Sequence, residues 1–199
     1  MASRGILLAF EGIDVSGKST QAKRVAASHD ALFTFEPGDT PLGAQLRHWV
    51  LDAATPMAAA TVALLMLSDR SHHVRTLIEP TLASGRSVVT DRFFASTLAY
   101  QGYGGGVDLD LLRAATDLAI GTTRPTLTVL LDLPVEVVNE RRAHDARDRF
   151  EAQDLEFHQR VRDGYLALAK DPTWVVIDAA KSEGEVASMI DDRLADLPW

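Results

Sequence analysis

Short apolar runs alternate with stretches of helical spacing along most of this 199-residue chain. Five runs have the length and continuity of buried strands: Ile6–Phe10, Ala31–Phe35, Ser87–Thr90, Leu127–Leu133 and Trp174–Ile177. Between them, segments such as Leu109–Ile120 and Phe157–Ala169 repeat apolar positions every three or four residues, the period of an amphipathic helix. This alternation predicts an α/β fold, a five-stranded parallel sheet flanked by helices on both faces. In such sheets ligands gather at the carboxyl ends of the strands. Glu11, Glu36, Asp91, Asp132 and Asp178, which follow or close the runs, are therefore the polar residues to read first.

The helix breakers refine this layout. Pro41 and Pro134 suit first helical turns, where the missing N–H would be unpaired anyway. Pro80 should end or kink the long helical stretch that begins near Met57. Gly102-Tyr103-Gly104-Gly105-Gly106 reads as a loop, because so many glycines oppose a helix. No repeat and no linker divides the chain, so residues 1–199 read as one domain.

Composition narrows the classes. The apolar fraction of 46% and charged fraction of 24% are those of an ordinary globular protein able to bury a core. A net charge of −8 argues against nucleic acid as a partner. The chain has no cysteine, which excludes disulfides and zinc–thiolate sites and suits a cytoplasmic location. Met57–Leu67 is nearly all apolar but too short to span a bilayer, so no membrane is expected. Met1–Arg4 leads straight into the first apolar run and Glu11, which is not the layout of a secretory signal. Against the acidic background, Arg141, Arg142, Arg147 and Arg149 crowd into nine residues.

The sharpest chemical signal follows the first run. Gly12 to Ser19 read G-I-D-V-S-G-K-S, a full match to the phosphate-binding pattern G-x-x-x-x-G-K-S/T, between a strand and a helical segment. Gly12 and Gly17 let the backbone curl so that the N–H groups of Ile13, Asp14, Val15, Ser16 and their neighbours converge on phosphates. A helix beginning near Lys18 and running through Thr20 adds its positive end. Lys18 bridges the outer phosphates, and the Ser19 hydroxyl ligates Mg²⁺. The motif implies nucleotide triphosphate binding and leaves the use of the phosphate open. A GTP-dependent switch would need an N-K-x-D motif, and the sole asparagine, Asn139, precedes Glu140-Arg141-Arg142. A large motor would need a longer chain. A small phosphotransferase remains.

Further segments point to which one. Phe10-Glu11-Gly12-Ile13-Asp14 with Gly17-Lys18-Ser19-Thr20-Gln21 is followed by Glu36-Pro37-Gly38, Thr40-Pro41-Leu42-Gly43 and Asp91-Arg92. Ser96–Gly102, Asp148-Arg149-Phe150-Glu151 and Asp154–Tyr165 complete the series. In order and spacing these resemble the thymidylate kinase family, nearly end to end. The resemblance implies a P-loop NTPase fold with a short mobile lid, ATP and dTMP as substrates, Mg²⁺ as cofactor and a homodimer, to which the alanine-rich stretch from Ala53 could contribute.

The resemblance also assigns roles. Asp14 contacts the 3′-hydroxyl and phosphate region of dTMP, Asp91 holds Mg²⁺ through water, and Arg92 binds the acceptor phosphate. Arg47 resembles a second phosphate ligand. Arg70 resembles the arginine on the thymine edge, with Met66 one turn before it on the same face. Thr97 and Gln101, also four apart, suit the base N3 and carbonyl edge, and Tyr100 crowds the sugar 2′ position. Departures are Phe35 for arginine, Asp39 for glycine, Met66 for an aromatic residue and Phe93 for tyrosine. The phosphate loop carries no arginine, so the resemblance implies one from the lid at about 141–151: Arg149 is the better match, with Arg147 the alternative and Arg142 against adenine. Arg92 and Arg149, as arginines away from the core, are expected to carry little stability. Other small P-loop phosphotransferases, such as a deoxynucleoside kinase, are the alternative reading, and a nucleotide-binding regulator without acceptor chemistry comes third.

Overall fold

A computed structural model describes residues 3–141, 148–150 and 153–199 of the chain. Its centre is a parallel sheet of β1 (Leu7–Glu11), β2 (Leu32–Phe35), β3 (Val88–Asp91), β4 (Leu127–Asp132) and β5 (Trp174–Asp178), in the order β2-β3-β1-β4-β5. Each strand lies within a residue or so of its apolar run. Register aligns the carboxyl ends: Phe10 of β1 and Phe35 of β2 both pair with Asp91 of β3. The two-residue period of β1 sends Leu8 and Phe10 to one apolar layer, Leu7 and Ala9 to the other.

The connecting helices are α1 (Lys18–Ser28), α2 (Pro41–Leu51), α3 (Ala59–His73), α4 (Glu79–Ala83), α5 (Phe94–Thr97), α6 (Leu109–Ile120), α7 (Val135–Arg141), α8 (Leu155–Leu168) and α9 (Glu183–Leu194). Local chemistry sets several boundaries. Pro41 opens α2 behind Thr40, whose hydroxyl accepts from the Gly43 N–H at 2.9 Å. Asp154 caps α8 through the Phe157 N–H, and Ser182 and Glu185 form a reciprocal capping box on α9. Among the described residues no helix is long and apolar enough to cross a membrane.

Two readings of the helix breakers need correction. Of the two outcomes expected at Pro80, an end or a kink, the helical stretch does not end there but changes its winding just before it. A wide π turn at Val74–Ile78 joins α3 to α4, and Pro80 sits in the first turn of α4, where its missing N–H is tolerated. The glycine cluster is not simply a loop either, because a π segment spans Leu98–Gly104. Packing explains those glycines. A Cβ on Gly102 would lie 2.5 Å from Leu109, and one on Gly104 2.7 Å from Val161 of α8. They let this segment press against α6 and α8, a demand stronger than their poor helix propensity.

Candidate active site

The loop between β1 and α1 is strained as a phosphate cradle requires. Gly12 (φ 146°), Val15 (φ 56°) and Gly17 (φ 88°) all have positive φ, and a Cβ on Gly12 would meet the Leu131 carbonyl at 2.6 Å. Lys18 folds back over the loop, its Nζ donating to the Ile13 carbonyl at 3.2 Å and lying 3.8 Å from Asp14. Burial first, and the nearby Arg92 guanidinium second, push the Lys18 pKa down. An unliganded cation held this way gains from polyanionic phosphates arriving beside it.

The Ser19 hydroxyl donates to Asp91 Oδ2 at the end of β3, and Asp91 Oδ1 is buried with no hydrogen-bond partner among the described residues. A hydroxyl and an under-used carboxylate beside a phosphate cradle are hard oxygen donors, which fit Mg²⁺. No group of three or more acidic or histidine ligands that could hold a metal by itself occurs among the described residues. A cation here would depend on nucleotide phosphates for part of its coordination.

Arg92, at positive φ (69°) just past β3, joins this loop to a second cavity. Its Nη1 donates to the Gly12 carbonyl, Ser96 Oγ and Tyr165 Oη, each at 3.1 Å. Its Nη2 donates to Asp14 Oδ1 and to Tyr100 Oη. Tyr100 in turn donates to Asp14 Oδ2 at 3.0 Å. Beneath them Glu11 accepts from the Phe93 N–H, the Ser96 hydroxyl and Tyr165 Oη. Burial raises the Glu11 pKa, although the Ser96 hydroxyl, Arg92 and the Phe93 N–H oppose it.

The second cavity is lined by Asp14, Arg47, Met66, Arg70, Arg92, Thr97, Tyr100 and Gln101, every acceptor-site residue expected from the sequence. Glu36, Pro37, Leu51, Ser96, Asp148 and Phe150 line it as well, residues with no role there in the sequence reading. Arg70, 2% exposed, is fixed by three partners: Nε to Glu36 at 2.7 Å, Nη1 to Thr97 Oγ1 at 2.8 Å and Nη2 to the Phe93 carbonyl at 2.9 Å. Burial works against the Glu36 charge, yet Arg70 and His73 prevail and hold its pKa low. Asp69 beside them is pushed up to about 6, by burial and then by the Glu36 charge.

Two departures from the family pattern acquire partners here. The Arg47 guanidinium lies 5.7 Å from the centre of the Phe35 ring, with Nη1 on the Pro37 carbonyl. The phenyl ring thus seats a cation at the cavity edge. Asp39 accepts from the Thr34 hydroxyl at 2.6 Å, and that hydroxyl is also 2.6 Å from His73 Nε2.

Arg149 is where the structure parts from the sequence reading. Its guanidinium does not turn toward the phosphate loop. Nε donates to the Val50 carbonyl at 2.8 Å and Nη2 to the Asp52 carbonyl at 2.6 Å and the Thr55 carbonyl at 2.5 Å. The carbonyls at the end of α2 have no intrahelical donors and attract the cation. Arg142, Arg147 and Glu151, with most of the segment read as a lid, lie outside the described residues. On the far side of the phosphate loop, Gly17, Thr20, Gln21, Arg141, Lys181 and Glu183 border a further cleft, with Arg141 held by the Ala179 carbonyl at 2.9 Å.

A model of the thymidylate kinase family matches residues 10–190. The chain is 43% identical over 189 residues to a thymidylate kinase of Carboxydothermus hydrogenoformans, covering 92% of this chain and 93% of the relative. Identity to the thymidylate kinase of Symbiobacterium thermophilum is also 43%, over 91% of this chain and 88% of the relative. The crystal structure of thymidylate kinase from Ehrlichia chaffeensis superposes with a TM-score of 0.77 at 30% identity, over 96% of this chain and 99% of that one. The sheet order, the phosphate loop and the cavity beside it are accounted for together: the chain belongs to the thymidylate kinase family.

Proposed function

We infer that this chain transfers the γ-phosphoryl group of ATP to the phosphate of dTMP, giving ADP and dTDP. The observation that carries the reading is Arg92, which bonds both the phosphate loop, at Gly12, and the wall of the acceptor cavity, at Asp14 and Tyr100. One guanidinium therefore stands where the donor and acceptor phosphates would meet. Gly12 to Thr20 cradle the ATP phosphates, with Lys18 on the outer ones, and Arg92 and Arg47 hold the acceptor phosphate. Arg70, Thr97 and Gln101 face the thymine, with Met66 against the ring and Asp14 and Tyr100 beside the sugar. Ser19 and Asp91 would hold Mg²⁺, which supplies charge neutralisation to the phosphates when bound. Phosphoryl transfer needs positioning and cancellation of charge more than covalent help, so no side chain has to act as nucleophile. The direct test is to follow labelled γ-phosphate from Mg-ATP in the presence of dTMP. The label should appear in dTDP, and its appearance in inorganic phosphate alone would contradict the assignment.

We also infer a homodimer. Leu64 on α3 and Leu111 and Leu118 on α6 are 64%, 70% and 79% exposed, and α3 and α6 together border a shallow apolar groove. Three exposed leucines on two packed helices form an apolar face larger than scattered surface residues would give. This face, rather than the stretch from Ala53, is the better candidate interface. Sedimentation should return twice 21.6 kDa, and Leu118→Arg should shift it toward one.

A further inference from the structure

The Asp148–Phe150 turn is fastened to α2 at more points than a surface loop needs. The Arg149 N–H donates to the Leu51 carbonyl at 3.0 Å, while its side chain takes the carbonyls of Val50, Asp52 and Thr55. A cation at this end of a helix is favoured by the helix dipole as well as by the unpaired carbonyls. From the other side, Gln153 donates to the Arg149 and Phe150 carbonyls, and Asp148 Oδ1 accepts from the Phe150 N–H at 2.9 Å. What this fastening holds in place is the Phe150 ring. It stands edge-on to Tyr100 with centroids 5.4 Å apart, and lines the acceptor cavity together with Leu51 and Arg47 of α2.

We propose that Arg149 is a positioning residue of the acceptor site, which ties this turn to the end of α2 and so keeps Phe150 on Tyr100 as the outer wall around the bound monophosphate. The proposal rests on the reading of that cavity as the dTMP site. It differs in kind from a role on the transferring phosphate. Nε and Nη2 are both engaged with carbonyls, and Arg149 could reach the phosphate loop only by surrendering those bonds. Losing the anchor should therefore weaken retention of dTMP and leave the chemical step largely alone.

Arg149→Ala and Phe150→Ala should each raise the dTMP dissociation constant about tenfold, while turnover at saturating dTMP and ATP stays within about threefold of wild type. Arg149→Lys, whose ammonium still donates to carbonyls, should recover part of the affinity. A fall in saturated turnover of about 10²-fold or more with unchanged dTMP affinity is the signature of an arginine on the transferring phosphate, and would overturn the proposal. Unchanged affinity in Arg149→Ala with wild-type turnover overturns it as well. Should Arg149→Ala fail to fold, Phe150→Ala decides, since wild-type affinity there removes the wall that Arg149 is said to hold. Failure of the wild-type protein itself to bind dTMP would be visible before any variant is compared, and would reject the dTMP reading and this proposal together.

Discussion

Lys18→Ala should lower turnover by about 10²-fold or more while leaving the fold in place. Lys18 stands at the start of α1 with its ammonium over the loop, 6% exposed, bonded to the Ile13 carbonyl and loosely paired with Asp14. Burial already disfavours its charge, so the apo fold gains little from keeping the ammonium there. The gain comes when phosphates replace lost water and charge builds on the moving group. Thermal unfolding of the variant should stay close to wild type. Retention of more than about a tenth of wild-type turnover at saturating ATP would show that Lys18 lacks the assigned role.

Arg92→Ala should do more damage, and of two kinds. Five side-chain and backbone oxygens lose a charged donor, and Asp14, about four-fifths buried, loses the guanidinium that pairs with it more closely than Lys18 does. Because Arg92 binds the acceptor phosphate in this account, kcat/KM for dTMP should fall by about 10³-fold or more, with both affinity and turnover reduced. Stability should fall too, by about 2 kcal/mol or more, which in a domain of this size lowers the melting temperature by roughly 4–8 °C. This overturns the expectation that the arginines of this region lie away from the core. The side chain is 15% exposed and bridges the phosphate loop, α5, the π segment and α8. Kinetics with dTMP beside a melting curve check both effects. Wild-type stability with lost binding would confine Arg92 to ligand contact.

What the sequence disclosed and what it hid follow from how local each signal is. Strands of four to seven apolar residues and a loop with fixed glycine spacing are written in contiguous residues, and all five strands emerged near their runs. The residues from Arg47 to Gln101 that line the cavity could be named beforehand because the resemblance supplies them, Arg92, Thr97, Tyr100 and Gln101 within short motifs and Arg47, Met66 and Arg70 by position alone. The Glu36–Arg70–His73 cluster was not, since it joins a strand end to a helix across 34 and 37 residues. Nor was the packing that turns Gly102 and Gly104 from loop signals into points of helix contact. Arg149 shows the limit most clearly. Its motif marked it as important, but whether it meets a phosphate or the end of a helix depends on α2, nearly a hundred residues away. Charge clustering in a sequence cannot distinguish the two.

The central claim is that the cavity beside Arg92 selects thymidylate. Arg70 and Thr97 are locked by partners and Tyr100 is buried against Asp14, so the cavity is held in place where this account puts base and sugar. The most direct measurement is kcat/KM for a panel of monophosphates with Mg-ATP. The expected order is dTMP above dUMP, with CMP and AMP far below both, because analogues that mismatch a fixed polar edge leave buried groups unpaired. CMP used as efficiently as dTMP would contradict the account and assign the chain a broader monophosphate kinase activity.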